Sequence, residues 1–156
     1  MHRITAFAIL ATLAATTQAQ NRVRVGTFHT PSLVVAYYRS DAWAQVLKAK
    51  MAERDQAKQA GATAKVAELE KWGASHQELA HQQLTGEAPV TNILAELKPA
   101  MAEIAESQHL DAIVQQPLYT APNVDVVDIT DALVAHFHPD EKTKSMIQDL
   151  RRKATP

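Results

Sequence analysis

Two histidines in the sequence stand three positions after a glutamate, the spacing that places two metal ligands on one face of a helix. The pairs are Glu78 with His81 and Glu106 with His109. Di-iron bundles use this spacing, but their site also needs a glutamate from each of two further long helices. The sequence offers no four-helix bundle to supply them, so we predict no metal, no cofactor and no catalysis. A metal-dependent enzyme built on these pairs is the alternative, and finding iron, manganese or zinc in the purified protein would support it.

Other arrangements of reactive side chains have simpler explanations. Three aspartates could form a carboxylate cluster for acid–base chemistry: Asp125, Asp128 and Asp131. Acids are common around helix starts, where they cap the backbone and favour the helix dipole, and this explains the last two better. No serine stands in a G-x-S-x-G nucleophile elbow. The sequence therefore predicts a protein that is not an enzyme.

Composition and the N-terminus limit the possible partners and the location. The chain has 16 Lys+Arg, 17 Asp+Glu and no cysteine. This balance gives no electrostatic footprint for nucleic acid, and the missing cysteine excludes a disulfide framework. Residues 1–19 begin with a basic residue, continue with an apolar run too short to span a bilayer, and end in small residues. We expect a signal peptide cut after Ala19, and hence a periplasmic or secreted protein with no integral membrane span.

Short β-like runs enclose a long helical segment. Residues 22–28 alternate and predict a first strand whose buried side carries Val23, Val25 and Thr27. Residues 110–114 and 124–129 predict two further strands, and helices are expected after them. The fold class is therefore α+β, with a small sheet of about three strands, a helical hairpin arm between strands 1 and 2, and C-terminal helices. The predicted division is residues 20–30 and 109–138 for the β-rich body, 31–108 for the arm, and 139–156 for the C-terminal helix and tail.

The arm segment is rich in good helix formers. A first helix is predicted to run unbroken from Leu33 to Gln59, followed by a turn at Gly61, with Gly73 as the alternative turn. Apolar residues at steps of three and four then form facing stripes of an αα-hairpin. The stripes are Trp43, Val46, Leu47 and Met51 on the first helix and Val66, Leu69, Trp72, His76 and Leu79 on the second. A third helix, residues 90–108, contains Pro99 and follows a break at residues 85–89.

Two features of the predicted body and arm base bear on partners. Tyr37, Tyr38 and Trp43 form an aromatic group that is expected to be core where the arm meets the sheet, with a ligand pocket as the alternative. A sheet of three short strands has open edges and is marginal alone. Pairing between copies would stabilise it, so we predict a homo-oligomer.

Three segments of the chain carry a resemblance to a known family. They are the strand-to-helix start at Val23–Gly26 and Thr30–Leu33, the arm turn and re-entry at Ala60–Lys71, and the closing blocks Glu103–Val114 and Val126–Val134. In this order they resemble the OmpH/Skp family of periplasmic chaperones, over most of residues 23–134. The segment around the break at residues 85–89 and the extension after Phe137 are also similar to a divergent branch of exported bacterial proteins with the same order of elements. The chain is near neutral, whereas the chaperones are typically strongly basic.

The resemblance implies a trimer joined by a small β-barrel body, with helical arms enclosing a cavity for unfolded outer-membrane proteins. It implies a holding chaperone of the bacterial envelope that binds unfolded proteins without ATP. The candidate client contacts on the arm are Val66, Leu69, Trp72 and Leu79, and the alternative is that these residues form the seam of the hairpin itself. The alternative function is a structural or interaction module of the cell envelope without client binding.

Overall fold

The computed structural model describes residues 22–154 of the 156-residue chain. The predicted signal peptide and the last two residues of the predicted tail lie outside the described residues. In chain order the elements are β1 (Val23–Thr27), α1 (Thr30–Tyr38), α2 (Asp41–Gln59), α3 (Thr63–Thr85), α4 (Thr91–Ser107), β2 (Ala112–Val114), β3 (Val124–Asp128), α5 (Thr130–Ala135) and α6 (Glu141–Ala154). No helix in this part of the chain is long and apolar enough to cross a membrane.

The three strands form one parallel sheet with β1 in the centre, between β2 and β3. Val25 lies beside Ala112 on one neighbouring strand and beside Val126 on the other. Parallel neighbours need a long crossover connection, and α1–α4 supply it between β1 and β2. The predicted α+β fold, with a helical insertion after the first strand and helices at the C-terminal end, is therefore confirmed.

The buried face of β1 is the opposite of the predicted one. Gly26 and Phe28 are buried, whereas Val23 is 42% exposed. A Cβ on Gly26 would stand 2.8 Å from Leu110 Cδ1 and 3.2 Å from Ile129 Cδ1, so a larger residue would push these side chains away from the strand. The prediction failed because it followed the valines, while the close approach at Gly26 decides which face is covered. The uncovered face carries exposed valines on all three strands: Val23, Val114 and Val126.

The hydrophobic core lies on the covered face and includes α1. Leu33 and Ala36 of α1 are fully buried, together with Ile93 and Leu97 of α4. The same cluster takes in residues from the C-terminal helical region: Leu133, Val134, Phe137 and Ile147. The helices α1 and α4 therefore pack with the sheet and the terminal helices to form the body of the protein.

The unbroken helix predicted from Leu33 to Gln59 is wrong, because the chain leaves the helix at Arg39 and Ser40. The Ser40 hydroxyl accepts a hydrogen bond from the Trp43 backbone N–H at 3.2 Å and caps the start of α2. A serine at this position satisfies a backbone donor that a new helix leaves free. The break separates the buried α1 from the exposed α2.

The helices α2 and α3 form the predicted hairpin, which we call the arm. It turns at Gly61, whose φ of 66° is in the left-handed region, and Gly73 lies inside α3. The predicted turn at Gly61 is therefore confirmed. Two ion pairs join the helices toward this turn, Lys58 to Glu70 at 3.4 Å and Lys65 to Glu53 at 3.1 Å.

Candidate functional site

A cleft of about 530 Å³ lies along the arm, and residues of both arm helices line it. Leu69 of α3 and Ala57 of α2 are buried where the helices meet. The side chains of Leu47 and Met51 line the cleft on α2 and remain 41% and 47% exposed. We call this cavity the arm cleft. Its size is within the range of roughly 300–1,000 Å³ that is typical of binding pockets.

Three rings line the arm cleft, Trp43 from α2 and Trp72 and His76 from α3. The ring centroids of Trp43 and Trp72 are 6.1 Å apart with an interplanar angle of 23°, and His76 lies 4.2 Å from Trp72 and 5.6 Å from Trp43. His76 Nδ1 is 2.8 Å from the Trp72 carbonyl oxygen. Because a carbonyl only accepts, Nδ1 carries the hydrogen, and this bond fixes the orientation of the imidazole ring.

Further aromatic contacts connect these rings to the core of the body. Tyr38 meets Trp43 edge-on at 5.1 Å, and Tyr37 meets Phe137 of the core edge-on at 5.7 Å. Burial raises the pKa of Tyr37 and of Tyr38 above the usual value. The two tyrosines of the predicted aromatic group therefore connect the arm to the core of the body, as expected. The tryptophan of this group lines the cleft.

Basic side chains stand at the α2 side of the arm cleft. Lys50 Nζ is 5.9 Å from the centroid of the Trp72 ring and 3.0 Å from Glu53 Oε2. Lys65 also binds Glu53, and the hydrogen bonds from Lys50 and Lys65 lower the pKa of that carboxyl. Arg54, one turn after Lys50, lines the cleft as well. The cleft therefore combines apolar walls with cations at one edge.

The predicted client contacts lie at three levels of the arm. Leu69 and Trp72 line the arm cleft, Val66 is half-buried nearer the turn, and Leu79 is half-buried nearer the body. Leu69 belongs to the hairpin seam, as the alternative explanation held, because it is only 6% exposed. The exposed cleft residues Leu47 and Met51 were placed in the seam by sequence. A stripe of apolar positions does not show how closely two helices approach. The sequence therefore held no signal that Leu47 and Met51 would be exposed while Leu69 is buried.

The two Glu-x-x-His pairs are not part of a larger ligand group. Glu78 accepts a hydrogen bond from Gln82 Nε2 at 2.9 Å, and His81 is exposed on α3. Glu106 is exposed in the last turn of α4, and His109, which follows the helix, has a φ of 53°. Within residues 22–154, no three His, Cys, Asp or Glu side chains come close enough together to hold a metal ion.

The three aspartates of the possible carboxylate cluster serve as structural partners. Asp125 pairs with Arg24 at 3.0 Å. Asp128 and Asp131 both bind Arg151 of α6, at 2.6 and 2.7 Å. Asp128 also accepts from the Thr130 backbone N–H at 2.8 Å, which caps the start of α5. These bonds outweigh the effect of burial and lower the pKa of Asp128, so it stays ionised.

A second concavity lies at the carboxyl ends of the strands, where open parallel sheets commonly bind ligands. Its polar groups bind one another. The His29 backbone N–H donates to Thr130 Oγ1 at 2.9 Å, and Gln115 Nε2 donates to Thr30 Oγ1 at 2.6 Å. His29 Nδ1 lies 2.8 Å from Ser32 Oγ. This network fixes the start of α1 against the sheet, and sequence analysis had proposed none of its members as site residues.

His29 makes the stability of the protein depend on pH. Burial and the nearby Arg151 guanidinium lower its pKa below the usual 6.5. Because the unfolded chain then binds the proton more readily, stability is intact above pH 6.5 and falls as the pH drops through the lowered value. Denaturation at pH 7.5 and pH 5 should show this loss, and His29→Gln should reduce it. An identical loss in His29→Gln would contradict the role of His29.

Comparison of the chain with models of protein families, with curated proteins and with solved structures yields no match.

Proposed function

We propose that the protein is an exported holding chaperone of the OmpH/Skp type, which binds unfolded envelope proteins without ATP and catalyses no reaction. The observation that supports this most is the arm cleft, an apolar cavity open to solvent between two helices whose Leu47 and Met51 are about half exposed. Exposed apolar surface of this kind marks interaction sites. Methionine adapts to many partner shapes because its side chain is unbranched and flexible.

The proposed location is the periplasm, and it depends on the predicted signal peptide at residues 1–19. A holding protein there must work without nucleotide energy. It would bind through several weak contacts at once, because linked weak sites hold a client tightly while each contact exchanges quickly.

The proposal includes a homo-oligomer, with a trimer favoured by the resemblance. The uncovered sheet face supports association, since Val23 and Val126 are 42% and 43% exposed on neighbouring strands. Parallel sheets are normally covered on both faces. A second copy packed on this face, or paired with the open edges of β2 and β3, would remove these valines from water. Several copies would also bring several arms to one client.

The test is the aggregation of an unfolded porin after dilution from denaturant, followed by light scattering. The protein should lower the scattering in proportion to its concentration, with no nucleotide added. The double variant Leu47→Asn/Met51→Gln should lower it less, because both substitutions make the walls of the arm cleft polar. The matched control is Val46→Asn, which changes an exposed apolar residue of α2 that does not line the cleft.

Scattering that is unchanged by the wild-type protein would contradict the holding function. The mass in solution provides a separate check on association. A trimer agrees with the proposal, and a compact monomer would contradict the shared body that the resemblance implies.

The second candidate is a structural or interaction module of the envelope. The loop after β2 favours it, because Leu118 and Tyr119 are exposed in this loop. They follow shortly after Val114, which is exposed on the uncovered sheet face. A module of this kind would bind one partner in fixed stoichiometry. Pull-down from envelope extracts separates the two candidates, since a holding chaperone retains a mixed set of unfolded proteins.

A further inference from the structure

Gly73 stands in the wall of the arm cleft without a reason in the fold. It lies in the middle of α3, where glycine favours the helix less than alanine does. Its φ lies outside the left-handed region, and a Cβ at this position would meet no other atom within 4 Å. Neither the backbone conformation nor close packing requires a glycine here. The consequence of this glycine is that the α3 wall of the cleft carries no side chain beside Trp72.

The shape of the arm cleft suits an extended chain. Its lining runs from Trp43 to Arg54 on α2 and from Leu69 to Ala80 on α3. At a rise of 1.5 Å per residue, each wall is about 16 Å long. An extended polypeptide rises about 3.3 Å per residue, so about five residues fill this length. Alternate side chains of such a segment point to one side, which directs about two or three of them into the cleft.

The chemistry of the walls indicates which side chains would enter. The rings of Trp43, Trp72 and His76 present π surfaces, to which aromatic side chains bind by offset stacking or edge-on contact. Met51, which also lines the cleft, has a polarizable side chain that makes favourable contacts with aromatic rings. A segment with aromatic residues at alternate positions therefore matches both the spacing and the surface.

The intervening side chains of such a segment point out of the cleft, so only long side chains at its edge, such as those of Lys50 and Arg54, can reach them. The charge of this edge favours acidic residues at the intervening positions. Lys50 and Arg54 lie on the α2 wall, whereas the acid of the opposite wall, Glu70, is bound to Lys58. The partner of Lys50 is Glu53 and that of Arg54 is Asp55, both in pairs that are partly exposed to solvent. Exposed ion pairs contribute little to stability, so Lys50 can exchange its partner for a carboxylate of the ligand at little cost.

We propose that the arm cleft binds extended polypeptide segments that carry aromatic side chains at alternate positions with acidic residues between them. This inference rests on the proposed function and specifies which segments of an unfolded client the arm holds. Gly73 leaves the room for the entering side chain.

The probe is a blocked pentapeptide in which phenylalanine alternates with glutamate, beginning and ending with phenylalanine. The chain has two tryptophans, and both Trp43 and Trp72 line the arm cleft. Their emission therefore reports on the cleft directly. We expect a saturable change in tryptophan emission with this peptide. Replacing the phenylalanines with serine should abolish the change, and replacing the glutamates with lysine should weaken the binding.

Gly73→Leu places a side chain in the arm cleft without breaking α3, because leucine is a good helix former. It should weaken peptide binding about ten-fold or more, while far-UV circular dichroism remains that of the wild type. Ala74→Leu, at an exposed position beside the cleft lining, is the matched control and should bind like the wild type. Equal affinity of Gly73→Leu and the wild type would overturn the proposed site. Equal affinity for the lysine peptide would overturn the preference for acids.

These outcomes are separate from those of the porin assay. Suppressed aggregation together with no peptide-dependent emission change would overturn the arm cleft as the binding site and leave the holding function standing. Peptide binding that Gly73→Leu weakens, together with no effect on porin aggregation, would support the site and contradict the holding function.

Discussion

Replacing Leu33 by alanine is expected to lower the free energy of unfolding by about 2–5 kcal/mol, the usual cost of truncating a buried leucine. Leu33 has no exposed surface and belongs to the core cluster with Ile93 and Leu133. Truncation removes apolar contacts with several elements at once, and neighbours held by the sheet cannot close the resulting cavity fully. Urea denaturation followed by far-UV circular dichroism measures this loss.

The matched control is Leu47→Ala, the same chemical change on α2. Leu47 is 41% exposed, so its truncation leaves no closed cavity, and we expect a loss of about 0.5 kcal/mol or less. The contrast tests the division of the predicted first helix into a buried α1 and an exposed α2. Similar losses for the two variants would show that the division is wrong.

The second large effect is expected at Gln83, where substitution by methionine should cost about 1–3 kcal/mol. Gln83 is 1% exposed and accepts a hydrogen bond from the Tyr38 hydroxyl at 3.0 Å. Its Nε2 donates to the Pro89 carbonyl at 2.8 Å and to Asn92 Oδ1 at 2.6 Å. Methionine is similar in size but forms none of these bonds, so the groups left behind lose their partner in a part-buried site. Thermal unfolding and urea denaturation would both register the loss.

Gln82→Met is the control for this experiment. Gln82 neighbours Gln83 on α3, is half-buried, and its side chain bonds Glu78 within the helix. We expect a change within about 0.5 kcal/mol. The role given to Gln83 would be refuted by a loss in Gln82→Met as large as that in Gln83→Met.

The sequence predicted the order of elements well because their signals are local. Gly61 ends the first arm helix through its left-handed backbone, a conformation that glycine adopts at little cost. The acid in the first turn of α6 and the basic residues in its last turn likewise stabilise that helix through its dipole. Such features depend on neighbours in the chain, so a single sequence carries them.

The missed features depend on distant parts of the chain. The covered face of β1 is set at Gly26 by Leu110 and Ile129, which lie far along the sequence. The break at Ser40 interrupts a run without glycine or proline, and its only local sign is a serine before an acid. The open arm cleft depends on the separation of two helices, which a list of apolar positions does not contain.

The arm leaves the body at Ser40 and returns to it near Gly86, whose φ of 83° ends α3. The bond from the Tyr38 hydroxyl to Gln83 Oε1, 3.0 Å long, holds the outgoing and returning chains side by side. Matched insertions into α2 and α3 beyond this junction would lengthen the arm without altering the contacts of the core. The length of the arm can therefore differ between related chains while the body that supports it stays the same.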